Sequence, residues 1–448
     1  MADARPFHWE YEPPTVVRER FLVTGGAALE GTIRVSGAKN AALKMLAAAT
    51  LTGERCRFSN VPEIEDVRAM ADTLVDLGVV VDHPEPNVYE VSAGDVDWLF
   101  VPLEAAAKMR ASFMLLGPLL SRFGEVVISN PGGDRIGRRP VDLHVDAMRA
   151  MGANIEYRYG YYYAKANGRL RGTEIRFPIV SVMGTENAML AATLADGHTV
   201  IRPAAQEPEV DDLIVFLNKM GASVERTYPD TIEVEGKRRL RGAEHHVMPD
   251  RIEAGTFAIA AGVTGGHVIL EGADCGTMDA LVEVMGRAGL EVGCGPGRME
   301  VDARGLGPGG MKPVDVETGP YPALATDIQP PTTVLLTQAT GDSTVHEAIF
   351  EDRLEWTAEL KKMGAKIDLK SPQRAVVHGP SKLRAASVEI SDLRAGASLI
   401  LAALAAEGTS SIGGAHHVRR GYENIERKFL DLGARIERVQ EGELVTPA

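Results

Sequence analysis

The chain has 448 residues, of which 45% are hydrophobic and 25% charged, and its formal net charge is −14 at pH 7. This composition is typical of a soluble globular protein, and the length predicts roughly two to four domains with a large buried core. The acidic balance argues against a nucleic acid or an anionic membrane as the main partner, but a local basic pocket can still bind a small anion.

The cysteines and the apolar runs indicate the compartment. Cys56, Cys275 and Cys294 are too few for a disulfide framework and lack the spacing of a metal site, so a reducing cytoplasm is the default expectation. The longest apolar run, residues 397–406, is about half the length of a membrane span. The start of the chain, MADARPFHWEYEPP, lacks the apolar core of a signal peptide. We therefore expect a cytoplasmic protein without a membrane partner.

An internal repeat is the most informative feature of the sequence. Six Ala-rich apolar runs each end at a glycine, and these glycines are 71, 73, 69, 75 and 67 residues apart: Gly53, Gly124, Gly197, Gly266, Gly341 and Gly408. A helical pattern that closes on another glycine follows 23 to 28 residues later each time: Gly78, Gly152, Gly221, Gly289, Gly364 and Gly433. Two landmarks that keep their register six times predict six copies of one structural unit.

Each unit is predicted to run in the order helix, strand, helix, hairpin. The apolar run has no polar alternation, so it predicts a helix buried on all sides, and its final glycine suits a left-handed C-cap. A β-branched stretch such as residues 125–128 follows, and then an amphipathic helix. After the second glycine the hydrophobic period changes to two, with a turn at Gly160 in the second unit, which predicts a hairpin.

Six buried helices favour two clusters of three helices, each enclosed by sheets. Solenoid stacking, in which every repeat contacts only its neighbours, is the alternative that the repeat leaves open. We favour the clusters because a helix that is apolar all round must be covered on every side.

Polar side chains crowd the N-terminal end of each buried helix, at residues 39–40, 108–112, 185–187, 250–253, 326–329 and 392–394. Asp and Glu are ordinary caps there, whereas the cations Lys39, Arg110 and Arg394 oppose the helix dipole. Because helix N-termini also carry unpaired N–H groups, these cations predict a pocket for a phosphate or a carboxylate. Capping and solvated charge are the alternative for any single position.

The segment of residues 131–140, PGGDRIGRRP, predicts a loop without regular structure. It carries Asp134 and three arginines, Arg135, Arg138 and Arg139. A mobile loop with a carboxylate and guanidinium groups can close over a bound anion. A solvated basic surface loop is the alternative interpretation.

A set of motifs spread over residues 21–438 resembles the enolpyruvyl transferases. In chain order they are SGAKNAAL, MRASFMLLGPL, PGGDRIGRRPVDLH, QEPEV, PDRIEAGTF, TDIQP, FEDR, DLRAGASL and RRGYENIE. Any one of these motifs is a weak signal, whereas the set in this order is highly specific. The resemblance is to the branch of the family that uses a sugar nucleotide.

The resemblance implies an α/β (α+β) fold, the inverse α/β prism, with two lobes that each contain three βαβαββ units around buried helices. Lobe one would comprise residues 40–247, with the mobile loop at residues 131–140. Lobe two would comprise residues 1–39 and 248–448, including an N-terminal extension at residues 1–20. The helix N-termini would face the cleft between the lobes.

The resemblance also implies a reaction. The enolpyruvyl group of phosphoenolpyruvate passes to the 3-hydroxyl of UDP-N-acetylglucosamine and phosphate leaves, which is the first committed step of peptidoglycan synthesis. These two small molecules are the implied partners, and neither a metal nor an organic cofactor is needed. Carbon C3 of phosphoenolpyruvate must gain a proton and the hydroxyl must lose one, so the chemistry requires an acid and a carboxylate base inside a positive cage.

The motifs assign residues to these roles by resemblance. Lys39, Arg139 and Arg420 are similar to the phosphoenolpyruvate-binding cations, and Asp327 is the candidate base. Asp134 stands where the family usually has a cysteine; it is the candidate acid, because a carboxylic acid can donate a proton if its surroundings raise its pKa. The other expected substrate-binding residues are Asn40, Arg110, Pro140, Val141, Asp142, Leu143, His144, Ser181, Val182, Ile349, Arg353, Asp392 and Arg394.

Three features depart from the family pattern. Residues 140–144 match the uridine-binding stretch, but the diphosphate turn has Met183 after Ser181 and Val182 where glycine is usual, which reduces the room for a phosphate. Arg135 and Arg138 occupy loop positions that are usually small or neutral, and residues 1–20 precede the usual family start. Two alternatives therefore stay open: a paralogous enolpyruvyl transferase with another uridine nucleotide or sugar in specialised metabolism, and a non-catalytic relative that binds or regulates. The shikimate-pathway transferase is disfavoured, because PVDLH and the context of TDIQP resemble the sugar-nucleotide branch.

Overall fold

The computed structural model describes residues 19–306 and 309–440. The start of the chain, for which we expect an extension and no signal peptide, lies outside the described residues except for Glu19 and Arg20. Within the described ranges, no helix combines the length and the apolar character needed to cross a membrane.

The described residues form 24 strands: β1 (Glu19–Thr24), β2 (Glu30–Arg34), β3 (Cys56–Ser59), β4 (Val80–Glu85), β5 (Val88–Ser92), β6 (Phe100–Val101), β7 (Glu125–Ser129), β8 (Ala153–Arg158), β9 (Tyr161–Ala166), β10 (Glu174–Arg176), β11 (His198–Arg202), β12 (Ser223–Tyr228), β13 (Thr231–Glu235), β14 (Glu244–His246), β15 (His267–Glu271), β16 (Glu291–Gly295), β17 (Arg298–Asp302), β18 (Val316–Glu317), β19 (Gly341–His346), β20 (Lys366–Ser371), β21 (Arg374–Gly379), β22 (Ser387–Glu389), β23 (Thr409–Gly413) and β24 (Arg435–Gln440).

The same residues form 14 α-helices: α1 (Lys39–Ala48), α2 (Glu65–Asp76), α3 (Leu103–Ala106), α4 (Leu116–Phe123), α5 (Asp142–Ala150), α6 (Val182–Ala192), α7 (Pro208–Lys219), α8 (Arg251–Thr264), α9 (Asp279–Ala288), α10 (Gln329–Leu336), α11 (Thr357–Lys362), α12 (Leu393–Ala405), α13 (Ala415–Arg419) and α14 (Ile425–Asp431). Short 3-10 helices cover Ala49–Leu51, Arg110–Leu115, Cys275–Thr277 and Thr326–Ile328.

The strands pair into six four-stranded sheets, one for each predicted unit: β14-β3-β5-β4, β6-β7-β9-β8, β10-β11-β13-β12, β2-β15-β17-β16, β18-β19-β21-β20 and β22-β23-β1-β24. Each sheet pairs its first two strands in parallel and the rest antiparallel. A parallel pair needs a long crossover, which the buried helix supplies in four of the six sheets, and an antiparallel pair needs only a hairpin. This pattern confirms the repeat.

The chain crosses twice between the two halves of the molecule. Strands β1 and β2 complete sheets that belong otherwise to the last three units, and β14 completes the sheet of the first unit. The two crossing segments are hydrogen-bonded to each other: the Ala38 N–H donates to the Met248 carbonyl at 2.7 Å, and the Asp250 N–H donates to the Ser36 carbonyl at 2.8 Å. The two halves are therefore joined by a paired connection.

The buried apolar residues form two separate cores. One core contains residues between Ala38 and Val247, and the other contains residues 21–35 together with residues 252–436. In the second core α8, α10 and α12 all contact one another, although α8 and α12 belong to the fourth and sixth units. A solenoid lacks such contacts, so that alternative is wrong. The lobe boundaries at 39/40 and 247/248 stay a prediction.

The caps show why the buried helices form where they do. The Asp250 carboxylate accepts hydrogen bonds from the N–H groups of Ile252 and Glu253 at the start of α8, which satisfies two of its unpaired donors. The helix stops at Gly265, one residue before the predicted Gly266, and its φ of 65° is the left-handed conformation that glycine adopts without strain. Gly124 caps α4 in the same way, but the predicted glycine C-cap is wrong for α1, α6, α10 and α12, whose caps are Ala49, Thr193, Thr337 and Ala406. The polar groups of a buried helix are thus satisfied at both ends.

A disulfide joins Cys275 and Cys294 in the fourth unit, with an S–S distance of 2.07 Å, whereas Cys56 is a free and buried thiol. This bond differs from the expectation of reduced cysteines. The two cysteines are 19 positions apart, and this spacing alone does not predict a disulfide. The pairing arises because the turn after β15 lies beside β16.

Candidate active site

A chain of ion pairs crosses the cleft between the two cores. Lys39, the first residue of α1, places its Nζ 2.7 Å from Asp66 Oδ2. Arg420, which follows α13, places its Nε 2.9 Å from Asp66 Oδ1 and its Nη1 2.5 Å from Asp134 Oδ1. None of the four side chains is more than 15% exposed. Since Asp66 and Asp134 belong to the first two units and Arg420 to the sixth, these pairs hold the two halves together.

A second group of charges surrounds Asp327, which lies in the 3-10 turn before α10. Its Oδ2 accepts a hydrogen bond from Arg394 Nε at 3.2 Å, and its Oδ1 lies 3.6 Å from Arg353 Nη2. Arg353 also donates through Nη1 to Asp392 at 3.4 Å, and Asp392 caps α12. The Arg394 guanidinium lies over the ring of Tyr422, 5.0 Å from its centroid.

The two acids of the predicted mechanism are held in the ionised form. Burial would raise the pKa of Asp134, but the charges of Arg420 and Lys39 outweigh it and lower that pKa. A raised pKa, the condition under which Asp134 can act as the acid, is therefore not met in this arrangement. Burial is likewise outweighed at Asp327, where Arg394 and Arg353 lower the pKa far below its ordinary value.

Several buried donors in this cluster have no acceptor. Arg353 Nε, Arg353 Nη2 and Arg394 Nη1 are buried and donate no hydrogen bond to any described residue. An unmet buried donor on a charged group is costly. A ligand with carboxylate or phosphate oxygens would satisfy these groups.

Arg110 and Arg139 form a positive pair that makes no ion pair with a carboxylate of the described residues. No acidic side chain of the described residues lies within 4.0 Å of either guanidinium, in contrast to Lys39 and Arg394, whose charges are met by Asp66 and Asp327. Burial lowers the pKa of Arg110 to about 10, and the charge of Arg139 adds to this effect. Burial also lowers the pKa of Arg139, against the opposing attraction of nearby carboxylates. The pair is thus suited to an anionic ligand.

The same two arginines line a pocket with a volume of about 490 Å³. Pro140, Val141 and Asp142 form part of its wall, as their place in the uridine-binding stretch predicts. Its other lining residues are Asn130, Pro131, Val145, Asp146, Arg149, Tyr157 and Tyr162. The pocket therefore combines cations with aromatic and apolar surface, which suits a nucleotide.

Leu143 and His144 do not line this pocket. Leu143 packs against the first core, and the buried His144 ring places Nδ1 2.9 Å from the amide nitrogen of Asn187. Burial, with a contribution from Arg110, lowers the pKa of His144 to about 3, so the ring is neutral. Helix α5 begins at Asp142, and its periodicity turns the following residues toward the core.

Other predicted ligands lie at element ends. Ser181 caps α6 by accepting a hydrogen bond from the Gly184 N–H at 3.1 Å, while the side chains of Val182 and Met183 pack against the first core. Asn40 follows Lys39 in the first turn of α1 and is partly exposed. The Ile349 N–H donates to Glu347 Oε1 at 3.0 Å. None of these residues takes part in the ion pairs of the central cluster that the described residues form.

The loop of residues 131–140 reaches the opposite half of the molecule. The Arg138 N–H donates to Glu351 Oε2 at 3.0 Å, and the Asp352 N–H donates to the Ile136 carbonyl at 3.3 Å. A Cβ at Gly137 would lie 2.4 Å from Glu351 Oε2, and its φ of 129° also requires glycine. The loop therefore covers one side of the cleft, and its mobility stays a prediction.

Comparison with known proteins identifies the family. The family described as EPSP synthase (3-phosphoshikimate 1-carboxyvinyltransferase) matches residues 23–429. The chain is also 44% identical over 420 residues to a UDP-N-acetylglucosamine 1-carboxyvinyltransferase of Glaesserella parasuis serovar 5 (strain SH0165), covering 94% of this chain and 98% of the relative. The chain belongs to the enolpyruvyl transferase family. A relative of the same name from Paramagnetospirillum magneticum is 44% identical over 432 residues, covering 95% and 99%.

Solved structures agree with the architecture of this enolpyruvyl transferase. The enolpyruvyl transferase NikO of Streptomyces tendae superposes with a TM-score of 0.85 at 24% identity and covers 95% of this chain and 100% of its own. An EPSP synthase of Acinetobacter baumannii gives a TM-score of 0.72 at 20% identity, with coverage of 94% and 100%. At these identities the likeness shows the fold, and it confirms the predicted fold class.

Sequence reasoning missed several residues that shape the site of this enolpyruvyl transferase. Asp66 bridges Lys39 and Arg420, yet in the sequence it is only the second acid in the first turn of α2, an ordinary place for a carboxylate. Glu347 is buried and accepts from the Thr326 hydroxyl at 3.0 Å, next to Asp327. Within the described residues, no group of three or more His, Cys, Asp or Glu side chains is arranged to hold a metal ion.

Proposed function

We propose that this enolpyruvyl transferase moves the enolpyruvyl group of phosphoenolpyruvate to the 3-hydroxyl of UDP-N-acetylglucosamine and releases phosphate, as a cytoplasmic enzyme of peptidoglycan synthesis. The observation that carries the proposal is the convergence of Lys39, Arg353, Arg394 and Arg420 around the carboxylates that pair with them. The names of the relatives support the same acceptor.

The cations divide between the two charged ends of phosphoenolpyruvate. Lys39 and Arg420 take the phosphate in exchange for their contacts with Asp66 and Asp134. The Arg353 and Arg394 N–H groups that lack an acceptor donate hydrogen bonds to the carboxylate oxygens at the other end of phosphoenolpyruvate. Charge-assisted hydrogen bonds of this kind hold the substrate and also stabilise the charge that develops during the reaction.

Binding of the phosphate prepares Asp134 as the acid. The present low pKa of Asp134 depends on Arg420 and Lys39. Once the phosphate neutralises those cations, the carboxyl faces a dianion in a buried site, and its pKa rises. Asp134 then gives its proton to C3, and C2 becomes the electrophile.

Asp327 acts as the base when the hydroxyl attacks C2. A carboxylate with so low a pKa is a weak base, so it takes the proton only as the attacking oxygen becomes acidic in the transition state. The new C2–O bond to the sugar forms first. C3 then returns its proton as the C2–O bond to phosphate breaks, which restores the double bond and balances the reaction.

The pocket lined by Arg110 and Arg139 is the proposed site of the uridine nucleotide, so Arg139 would also face the nucleotide, in addition to the phosphoenolpyruvate role that the resemblance implies for it. Its walls contain Pro140, Val141 and Asp142, and its two arginines have no protein carboxylate within ion-pair distance among the described residues. The diphosphate of a sugar nucleotide supplies the missing negative charge.

The test measures phosphate release from phosphoenolpyruvate with and without UDP-N-acetylglucosamine. We expect release only when both substrates are present. If phosphoenolpyruvate binds and another uridine nucleotide or sugar supports turnover while this acceptor does not, the paralogue alternative replaces the proposal. If neither ligand binds, both enzymatic alternatives fail and a non-catalytic role is favoured. The departure at Met183 does not favour the paralogue, because its side chain packs against the core.

A further inference from the structure

Two ionisable side chains inside the first core take no part in the proposed reaction. Lys44 on α1 and Glu186 on α6 are 5% and 0% exposed, and Lys44 Nζ lies 3.4 Å from Glu186 Oε2. Neither carboxylate oxygen of Glu186 accepts a hydrogen bond from any described residue. Burying two charges is costly unless the surrounding contacts compensate for it. A buried pair with so few compensating contacts therefore needs a structural or functional explanation.

The Lys44 amine reaches back toward the substrate site. Its Nζ donates to the carbonyl of Asn40 at 2.6 Å. Side chains on a helix lean toward its N-terminus, so the amine lies beside the first turn, which contains Lys39 and Asn40. The positive charge is thus held at the end of α1 that faces the cleft.

Glu186 lies near the corresponding end of α6. The helix begins at Val182 and is capped by Ser181, so Glu186 is about one turn from the predicted diphosphate-binding residues. The Lys44–Glu186 pair consequently connects the first turn of α1 with the first turns of α6. These two helix ends carry predicted ligands of the two different substrates.

We propose that Lys44 and Glu186 are positioning residues, which fix Lys39 and Asn40 relative to the start of α6 so that both substrates meet at the correct distance. This inference rests on the proposed function and extends it to a pair of residues too buried to touch either substrate. A displacement of about 1 Å in a reacting group can lower the rate by roughly 100-fold. A rigid connection between the two helix ends should therefore have a measurable effect on the reaction rate.

The electrostatic surroundings make the pair sensitive to pH. The charged groups that act on Glu186 are Lys44 from α1 and Glu209 and Glu207 at the start of α7. Glu209 is itself held by Arg251, whose Nε lies 3.0 Å from Glu209 Oε1. Burial raises the pKa of Glu186 to about 7, although the charge of Lys44 acts in the opposite direction. Below that pH Glu186 becomes neutral and the tie weakens.

The variants separate positioning from packing. Lys44→Met and Glu186→Gln each remove one charge, and the double change Lys44→Met with Glu186→Met replaces the pair by apolar side chains of similar size. Leu190→Val, one turn further along α6 and fully buried, is the control for a simple loss of packing. Each protein is measured by kcat/KM for phosphoenolpyruvate between pH 5.5 and 8.5 and by hydrogen exchange of residues 39–43.

We expect the single and double variants to lower kcat/KM for phosphoenolpyruvate by roughly 10- to 100-fold and to speed exchange in the first turn of α1, while Leu190→Val does neither. In the wild type, kcat/KM should fall below about pH 7 through an ionisation that Glu186→Gln removes. Wild-type kcat/KM and exchange in the double variant would overturn the inference, and so would an unchanged pH profile in Glu186→Gln. A wild type without turnover would refute the proposed function, and the exchange of residues 39–43 would still decide this inference.

Discussion

Replacing Asp327 by asparagine tests both the electrostatics and the chemistry of the site. The carboxylate lies 3.2 Å from Arg394 Nη2 and 3.6 Å from Arg353 Nη2. Because 31% of the Asp327 side chain is exposed to the cleft, an effective dielectric constant of about 20 is appropriate. Each attraction is then about 5 kcal/mol before the cost of desolvation is subtracted. Asparagine keeps the shape of the side chain and removes both attractions.

Two opposite effects are expected from Asp327→Asn. Turnover should fall by about 10²- to 10⁴-fold, because the hydroxyl loses its proton acceptor. The affinity for inorganic phosphate should rise instead, because the site loses a negative charge that repels the anion. At a separation of about 6 Å one unit charge contributes roughly 3 kcal/mol, so the rise is limited to about 100-fold. The free energy of unfolding should fall by about 2 kcal/mol, less than for a fully buried pair.

The assays are steady-state kinetics, calorimetric titration with inorganic phosphate and urea denaturation. Asp342→Asn is the matched control, since this carboxylate of the second half pairs with His378 at the surface. If turnover falls by less than tenfold, Asp327 is not the base. Weaker phosphate binding, with the fold intact, would show that the carboxylate organises the arginines rather than competing with the substrate, and the electrostatic reasoning above would be refuted.

Three further predictions concern the loop and the ion pairs. Since residue 134 has no thiol, fosfomycin should not inactivate the wild type covalently, whereas an active Asp134→Cys variant should become sensitive; rapid irreversible inactivation of the wild type would contradict this. The pKa of Asp134 is lowered because Arg420 and Lys39 outweigh burial, so its stabilising contribution is present above the ordinary pKa of about 4 and is lost as the pH falls through the lowered value. The radius of gyration from small-angle scattering should therefore stay constant down to the ordinary pKa of about 4 and increase at some lower pH, and a radius that stays constant until the protein unfolds would exclude the contact as a source of closure. Glu351→Gln weakens the bond that the Arg138 N–H donates across the cleft, so KM for phosphoenolpyruvate should rise by roughly three- to tenfold with kcat nearly unchanged; an unaltered KM would mean that this contact does not hold the loop.

The repeat and the fold class follow from the sequence by itself. Residues close together along the chain determine the hydrophobic period, and Gly124 marks the left-handed end of α4, so both can be predicted without a structure. The cations at the helix starts can also be recognised from the sequence, because Lys39 and Arg394 oppose the dipole of their own helices. The motif set then places these residues in a family, and the comparisons confirm that family.

Contacts between distant segments were decided only by the tertiary structure. Asp66 and Arg420 are 354 positions apart, and nothing local marks Asp66 as the bridge between two cations. The direction of the pKa shift of Asp134 could not be predicted from the sequence, because it depends on Arg420, a residue of the other half of the molecule. The inward turn of His144 and the disulfide of the fourth unit also depend on tertiary contacts, although each lies within one half of the molecule. Local patterns specify elements, whereas the charge and burial of a side chain depend on neighbours that only folding brings near.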